Sequence, residues 1–212
     1  MMCVATFLLL CCSCDAINSS SVLGDTRYIR NGVIMLQTHY TDQPYCAVNN
    51  RSAISGGEVW TCVITASTGG EGSAGEQVYS VLSEDQGRSW SVPVSVEAGT
   101  SVPGGLPNAY ANIVLAGQRL YTVYNYNRDN IKMSGRDDEL GFFYMRYSDD
   151  DGRTWSTYRY LVPYPDTWVD RHNNFNGTTH IMWTVDHIKH MPNGAVAFAF
   201  TKIGRYVQNP PE

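Results

Sequence analysis

Residue types able to do chemistry are concentrated in a few stretches of the 212-residue chain. Two of them, SEDQGRSW at 83–90 and SDDDGRTW at 148–155, are near-copies of one phrase. Closely spaced acids before a glycine can hold calcium. A calcium loop, however, needs acids five, three and one residues before its Gly and a Glu six residues after it. In the second copy the first and last of those places hold Tyr147 and Tyr158. A third stretch, VDRHNNFNGTTHIMWTVDHIKH, gathers Arg171 with His172, His180, His187 and His190. Histidines ligate zinc and exchange protons near neutral pH. Here His-Ile-Lys-His lacks the helix and the Glu of the zinc-protease motif. No metal and no other cofactor is expected.

The remaining Asp, Glu, Arg, Asn and His lie largely in four segments: TGGEGSAGE (68–76), EAGTSVPGGLPNAY (97–110), NRDNIKMSGRDDE (127–139) and PYPDTWVDRHNNFNGTTH (163–180). They include Glu71, Glu76, Tyr110, Arg128, Arg136 and Arg171, and Arg205 follows near the C-terminus. Charged loops of this kind are a natural ligand rim, although loops are polar in any fold. Tyr110, Tyr124 and Tyr126 are able either to stack on sugar rings or to pack in a core.

The segments between these loops read as short strands rich in Val, Ile, Thr, Tyr and Trp. They run EVWTCVITAS (58–67), EQVYSVLS (76–83), WSVPVSV (90–96), ANIVLA (111–116), RLYTVYNYN (119–127), LGFFYMRYS (140–148), WSTYRYLV (155–162), HIMWTVD (180–186) and AVAFAFTKI (195–203). No helical periodicity of useful length appears. The order of parts repeats with a period of about 65 residues, and a repeat of four short antiparallel strands is a propeller blade. The twin phrases then serve as the hairpin turn between third and fourth strands. Asp85, Asp150 and the Ser83 and Ser148 hydroxyls cap backbone N–H groups there, Gly87 and Gly152 take positive φ, and Trp90 and Trp155 fold into the packing layer. Alternating strand direction puts the four polar loops at the opposite end.

A chain that is 43% hydrophobic and 17% charged supports a packed core. Net charge is −5 and no Lys/Arg cluster occurs, so nucleic acid is not an expected partner. Val4–Cys12 has the length of a signal-peptide core, too short to span a bilayer, with small residues placed for cleavage after Ala16. Export is therefore expected, with no membrane span once residues 1–16 are removed. Cys46 and Cys62 remain outside that segment, and an even pair in an exported chain implies one disulfide, with two buried thiols as the alternative. Sequons at Asn18, Asn50 and Asn176 fit the same compartment. The expected organisation is a signal at 1–16, an N-terminal segment at 17–44 and a propeller portion at 45–212. Blade 1 would cover about 50–97, blade 2 about 109–163, and part of a third blade 179–212.

The twin phrase resembles the Asp box, or BNR repeat, of sialidases and their relatives, over roughly residues 45–205. The resemblance implies an all-β, sialidase-like propeller, here incomplete, since six such units would need about 390 residues. It also implies that the boxes lie on the face opposite the ligand. Members hydrolyse terminal acidic sugars from glycans, using arginines on the substrate carboxylate, an acid for proton transfer and a Tyr–Glu nucleophile pair. By that resemblance NRSAISGGEVW offers Arg51 as the first clamp residue, with Ser52 and Ala53 in place of the family's Ile-Pro. Glu76 or Glu71 would be the acid, where the family has Asp. The nucleophile pair would lie in later blades, so this chain alone is expected to be inactive and to associate through unpaired sheet edges. Two alternatives stand beside this one: a non-catalytic carbohydrate-binding propeller, and a propeller lyase acting on uronate polymers through His, Tyr and Arg.

Overall fold

The computed structural model describes residues 28–73, 75–133 and 136–203. The expected signal at 1–16, Asn18 and Arg205 lie outside them. A first antiparallel sheet contains β1 (Tyr40–Asn49), β2 (Val59–Ser67), β3 (Gln77–Ser83) and β4 (Val94–Glu97), paired in chain order. The second contains β5 (Asn108–Ala116), β6 (Arg119–Tyr126), β7 (Leu140–Ser148) and β8 (Tyr160–Leu161), again in chain order. These are two four-stranded blades of an all-β fold.

The first inner strand lies upstream of its expected start near residue 50. Polar residues, Pro44 and a register shift between Asp42 and Tyr45 hide the alternation of β1. Its partner, β2, is unmistakable: almost every residue of VWTCVITAS is buried, because the sheet is covered on both faces. On one face Val63, Val78 and Val96 pack against Ala111, Ile113, Leu120, Tyr124 and Tyr126 of the second sheet. On the other, Cys62, Ile64 and Val81 meet Met35, with Leu36 and Trp90 beside them. Cys46 and Cys62, opposite each other in the β1–β2 ladder, are joined by a disulfide.

Residues after 179 contribute only short strands: β9 (His180–Trp183), β10 (Lys189–His190), β11 (Val196–Ala197) and β12 (Thr201–Lys202). They run as one antiparallel hairpin, β9 pairing with β12 and β10 with β11 on either side of the turn at 191–195. β9 also pairs with Leu140 and Gly141 at the start of β7. The hairpin packs on the far face of the second sheet, where Val114, Val123 and Phe143 need cover. Met182, Ile188, Phe198 and Phe200 supply it.

Both box turns are built alike. Ser83 Oγ donates to Asp85 Oδ1 at 2.8 Å and accepts from Gly87 N at 2.8 Å, while Asp85 accepts from the Ser89 N–H and hydroxyl at 2.8 and 2.6 Å. Ser148, Asp150, Gly152 and Thr154 repeat the pattern at 2.7, 2.8, 2.8 and 2.6 Å. In each turn a non-glycine residue as well as the glycine takes positive φ: Gln86 with Gly87, Asp151 with Gly152. Trp90 and Trp155, expected to be buried, are half-buried, because each ring lies at the rim of its core. The second turn also clamps the blades together. Asp151 accepts from Asn49 Nδ2 at 3.0 Å and from Ser52 Oγ, and Trp155 Nε1 donates to Ser80 Oγ at 2.9 Å.

Candidate functional site

Strand alternation divides the loops between two ends. The β1–β2 turn (50–58) and the β3–β4 box turn lie at one end of the first sheet; loops 68–76, 98–107, 127–139 and 162–179 lie at the other. Arg51 is therefore on the box side, exposed in the β1–β2 turn, where Ser55 Oγ donates to Glu84 of the first box. The expectation that Arg51 faces the rim opposite the boxes does not survive this topology. The physical reason is that β1 ends at Asn49, before Arg51, rather than beginning near it.

The far end gathers a dense set of ionisable groups. Glu76 closes the β2–β3 loop immediately before β3, and Tyr110 lies at a bulge of β5 with φ of 54°, its N–H donating to Thr65 Oγ1 at 3.1 Å. Loop 127–139 brings Arg136, Asp138 and Glu139. Arg136 Nη2 reaches Glu71 Oε1 at 3.0 Å, Asp138 Oδ2 at 3.1 Å and Glu139 Oε1 at 3.1 Å, and donates to the Tyr110 hydroxyl at 2.7 Å. Tyr110 in turn donates to Asp138. Asn125 Nδ2 holds the backbone of this loop through the carbonyls of Asp138 and Leu140, at 2.6 and 3.0 Å.

One guanidinium thus serves three carboxylates, and Glu76 is a fourth acid in the same field. Only 3% of Glu76 is exposed. Burial, reinforced by the charge of Asp138, pushes its carboxyl up to about 8, against the opposing pull of the Gly72 N–H and Arg136. Glu76 Oε1 accepts from Gly72 N at 3.1 Å, whereas Oε2 is buried with no hydrogen-bond partner. Glu76 is accordingly a neutral carboxylic acid at pH 7, with a proton to offer. Burial and Asp138 also push the Tyr110 hydroxyl upward, so it acts as a donor rather than a phenolate. Tyr40 is pushed up as well, by burial first and then by Asp42, to which it donates at 3.0 Å, with smaller contributions from Glu71 and Glu76.

Of the residues singled out in the sequence, Glu71, Glu76, Tyr110 and Arg136 come together. Arg128 does not join them; it lies over the Phe142 ring at 4.3 Å and donates to the Tyr144 hydroxyl at 3.2 Å. Arg171 is exposed and donates to the Asp166 carbonyl at 3.1 Å. Tyr124 and Tyr126 pack between the sheets, Tyr124 donating to Glu97 at 2.7 Å. Asn50 and Asn176 are in exposed turns. The four histidines fall in three separate surroundings. His172 stacks on Trp168, His180 contacts Tyr164 and Asp166, and His187 packs edge-on against Tyr45. His187 and His190 line a cleft of about 230 Å³ between β1 and β5, remote from the acidic cluster along both strands. Asp138 and Glu139 were missed; the run RDDEL, an arginine followed by three acids, was the available signal.

No protein-family profile matches the chain. No curated protein sequence matches it either. Solved structures similar to it include a Hadza microbial sialidase, at 14% identity and a TM-score of 0.42, covering 56% of this chain and 25% of that one. An α-L-arabinanase of Penicillium chrysogenum complexed with arabinobiose is 20% identical, with a TM-score of 0.41 and coverage of 58% and 33%. The GH93 α-L-arabinofuranosidase of Fusarium graminearum, also complexed with arabinobiose, is 18% identical, with a TM-score of 0.43 and coverage of 64% and 34%. The chain spans a quarter to a third of the length of these structures.

Proposed function

We propose that this chain forms part of the glycan pocket of a propeller glycoside hydrolase, with Glu76 as the proton donor. The observation that carries this reading is the buried Glu76 carboxyl, pushed up to about 8 by burial and the charge of Asp138, with Oε2 unpartnered. Glycoside hydrolysis needs such an acid to protonate the leaving oxygen and a partner that remains ionised. Asp138, which accepts from Tyr110 and Arg136, is placed for the second role.

The sequence reading favoured a terminal acidic sugar. The charge balance of the cluster favours a neutral one. Arg51 is at the wrong end to clamp a substrate carboxylate, and Arg136 is already committed to three carboxylates. A further anion would enter a field that is net negative. With the remaining wall of a pocket outside this chain, slow or absent turnover is expected of it alone, because catalytic groups act as a set. Export by residues 1–16 and glycosylation at Asn50 and Asn176 complete the proposal, as does association through open sheet edges.

The test is calorimetric titration of the purified chain with a neutral oligosaccharide, a sialylated one and a uronate polymer, alongside Glu76→Ala. Binding of the neutral sugar, weakened at least tenfold in the variant, supports the reading. Preferential binding or turnover of the sialoside would return the acidic-sugar assignment. Preference for the uronate would favour the lyase, and binding without turnover in any longer form would favour a carbohydrate-binding propeller.

A further inference from the structure

We propose that Asp166, Asp170 and His180 bind a divalent transition-metal ion of the zinc type. Their potential ligand atoms all lie within 4.8 Å of one another. The three come from separate pieces of backbone: Asp166 from the loop after β8, Asp170 from α1 (Trp168–Arg171) and His180 from the start of β9.

Asp170 supplies the first argument. It completes a capping box with Thr167, and its Oδ2 accepts from the Thr167 N–H at 2.6 Å, from the Thr167 hydroxyl at 2.9 Å and from Lys202. Every donor falls on the same oxygen. Oδ1 is buried and has no partner, although the Asp170 side chain is only 1% exposed. A bare, buried carboxylate oxygen is costly unless something binds it.

His180 supplies the second. Its Nδ1 is 2.7 Å from the Tyr164 hydroxyl, which lies 3.0 Å from Met182 Sδ as a donor. The Tyr164 hydroxyl has one proton, and whether the sulfur or Nδ1 receives it sets the His180 tautomer. With the proton on the sulfur side, Nδ1 donates to the phenol oxygen and Nε2 offers its lone pair beside Asp166 Oδ1, 2.9 Å away, as a metal ligand would. A metal-bound histidine that donates its other N–H to a fixed acceptor is the arrangement second-shell groups impose.

The donor set selects the ion. One imidazole nitrogen and two carboxylates suit zinc and its transition-metal neighbours, whereas calcium and magnesium prefer oxygen alone. Lys202 leaves the two carboxylates with a net single negative charge, so a divalent ion is still attracted. Asp166 is exposed and free to close on the ion, which would enter from its side. Binding would fasten loop 162–179 to β9, the strand that anchors the cover of the second sheet.

The experiment uses the full chain, stripped with a chelator and dialysed, then titrated with Zn²⁺ alone while bound metal and thermal midpoint are followed. The expected result is tight uptake at this site and a raised midpoint, neither reproduced by Ca²⁺ or Mg²⁺ at equal concentration. Asp166→Asn, at an exposed position that leaves the fold intact, should weaken the zinc-induced midpoint shift at least tenfold in effective affinity. His180→Gln should abolish it. If Zn²⁺ does not raise the midpoint, or raises it equally in Asp166→Asn, His180 simply donates Nε2–H to Asp166 and the site is refuted.

Discussion

The two ends of the sheets use carboxylates in opposite ways. At the box end, Asp85 and Asp150 are each matched to donors in their own turn. The Ser89 hydroxyl and N–H, with Ser83, pull Asp85 down to about 2; burial pushes Asp150 up, but the Thr154 and Ser148 donors outweigh it and leave it low. At the far end, Glu71, Glu76, Asp138 and Glu139 crowd around one arginine, and Glu76 is pushed up instead of down. Matching carboxylates to donors makes a rigid turn. Crowding them into a buried site raises the energy of ionisation and leaves a proton available, as active sites do.

The largest expected effect removes the charge that makes the far end tolerable. Arg136→Met strands the buried Asp138 and Glu139 carboxylates and should destabilise the chain by about 3–5 kcal/mol in denaturant unfolding. A loss below about 1 kcal/mol would mean that the cluster does not depend on its guanidinium.

Next comes pH. The folded-state value of Glu76 is raised, so between about 4.5 and 8 the folded chain retains a proton the unfolded chain has lost. The stability this contributes is complete below about 4.5 and is lost as pH rises through about 8, by on the order of a few kcal/mol. Glu76→Gln should flatten that descent and make the chain more stable than wild type at pH 8. An unchanged slope in the variant would remove Glu76 as its source.

At the box end the effects should be smaller and local. Asp150→Ala leaves the Ser148 hydroxyl and the Thr154 donors without their acceptor, costing about 1–3 kcal/mol in thermal unfolding. A cost as large as that of Arg136→Met would erase the distinction between the ends. Arg51→Ala, in an exposed turn, should change stability and glycan affinity by no more than about 0.5 kcal/mol. A tenfold loss of glycan binding would put Arg51 back in the pocket.

The legible parts of this molecule were those with local periodicity. The strands VWTCVITAS, RLYTVYNY and LGFFYMRYS, and the twin turns between third and fourth strands, follow from alternation and turn chemistry alone. So does the division of loops between two ends, which put Glu71, Glu76, Tyr110 and Arg136 on one rim. The illegible parts depend on partners remote in sequence. β1 carries Pro44 and a bulge, and its identity as a strand comes from pairing with β2 and the Cys46–Cys62 bond. Missing β1 displaced Arg51 by one turn of the chain and so reversed its end. The hairpin of HIMWTVD and AVAFAFTKI around MPNG is legible in the sequence, but that it covers Val114, Val123 and Phe143 of the second sheet is decided by the fold. Arg128 and Arg136 are equivalent in composition; only the fold decides that one lies over Phe142 and the other holds the acids.

The account rests on Glu76 being a neutral acid at physiological pH. Its side-chain carboxyl carbon, labelled with ¹³C and assigned by comparison with Glu76→Gln, can be followed by NMR from pH 3 to 9. A midpoint near 8, well above the other glutamates, is the result expected. A midpoint near the ordinary value of about 4.3 would contradict the claim and return the far end to the status of a charged loop surface.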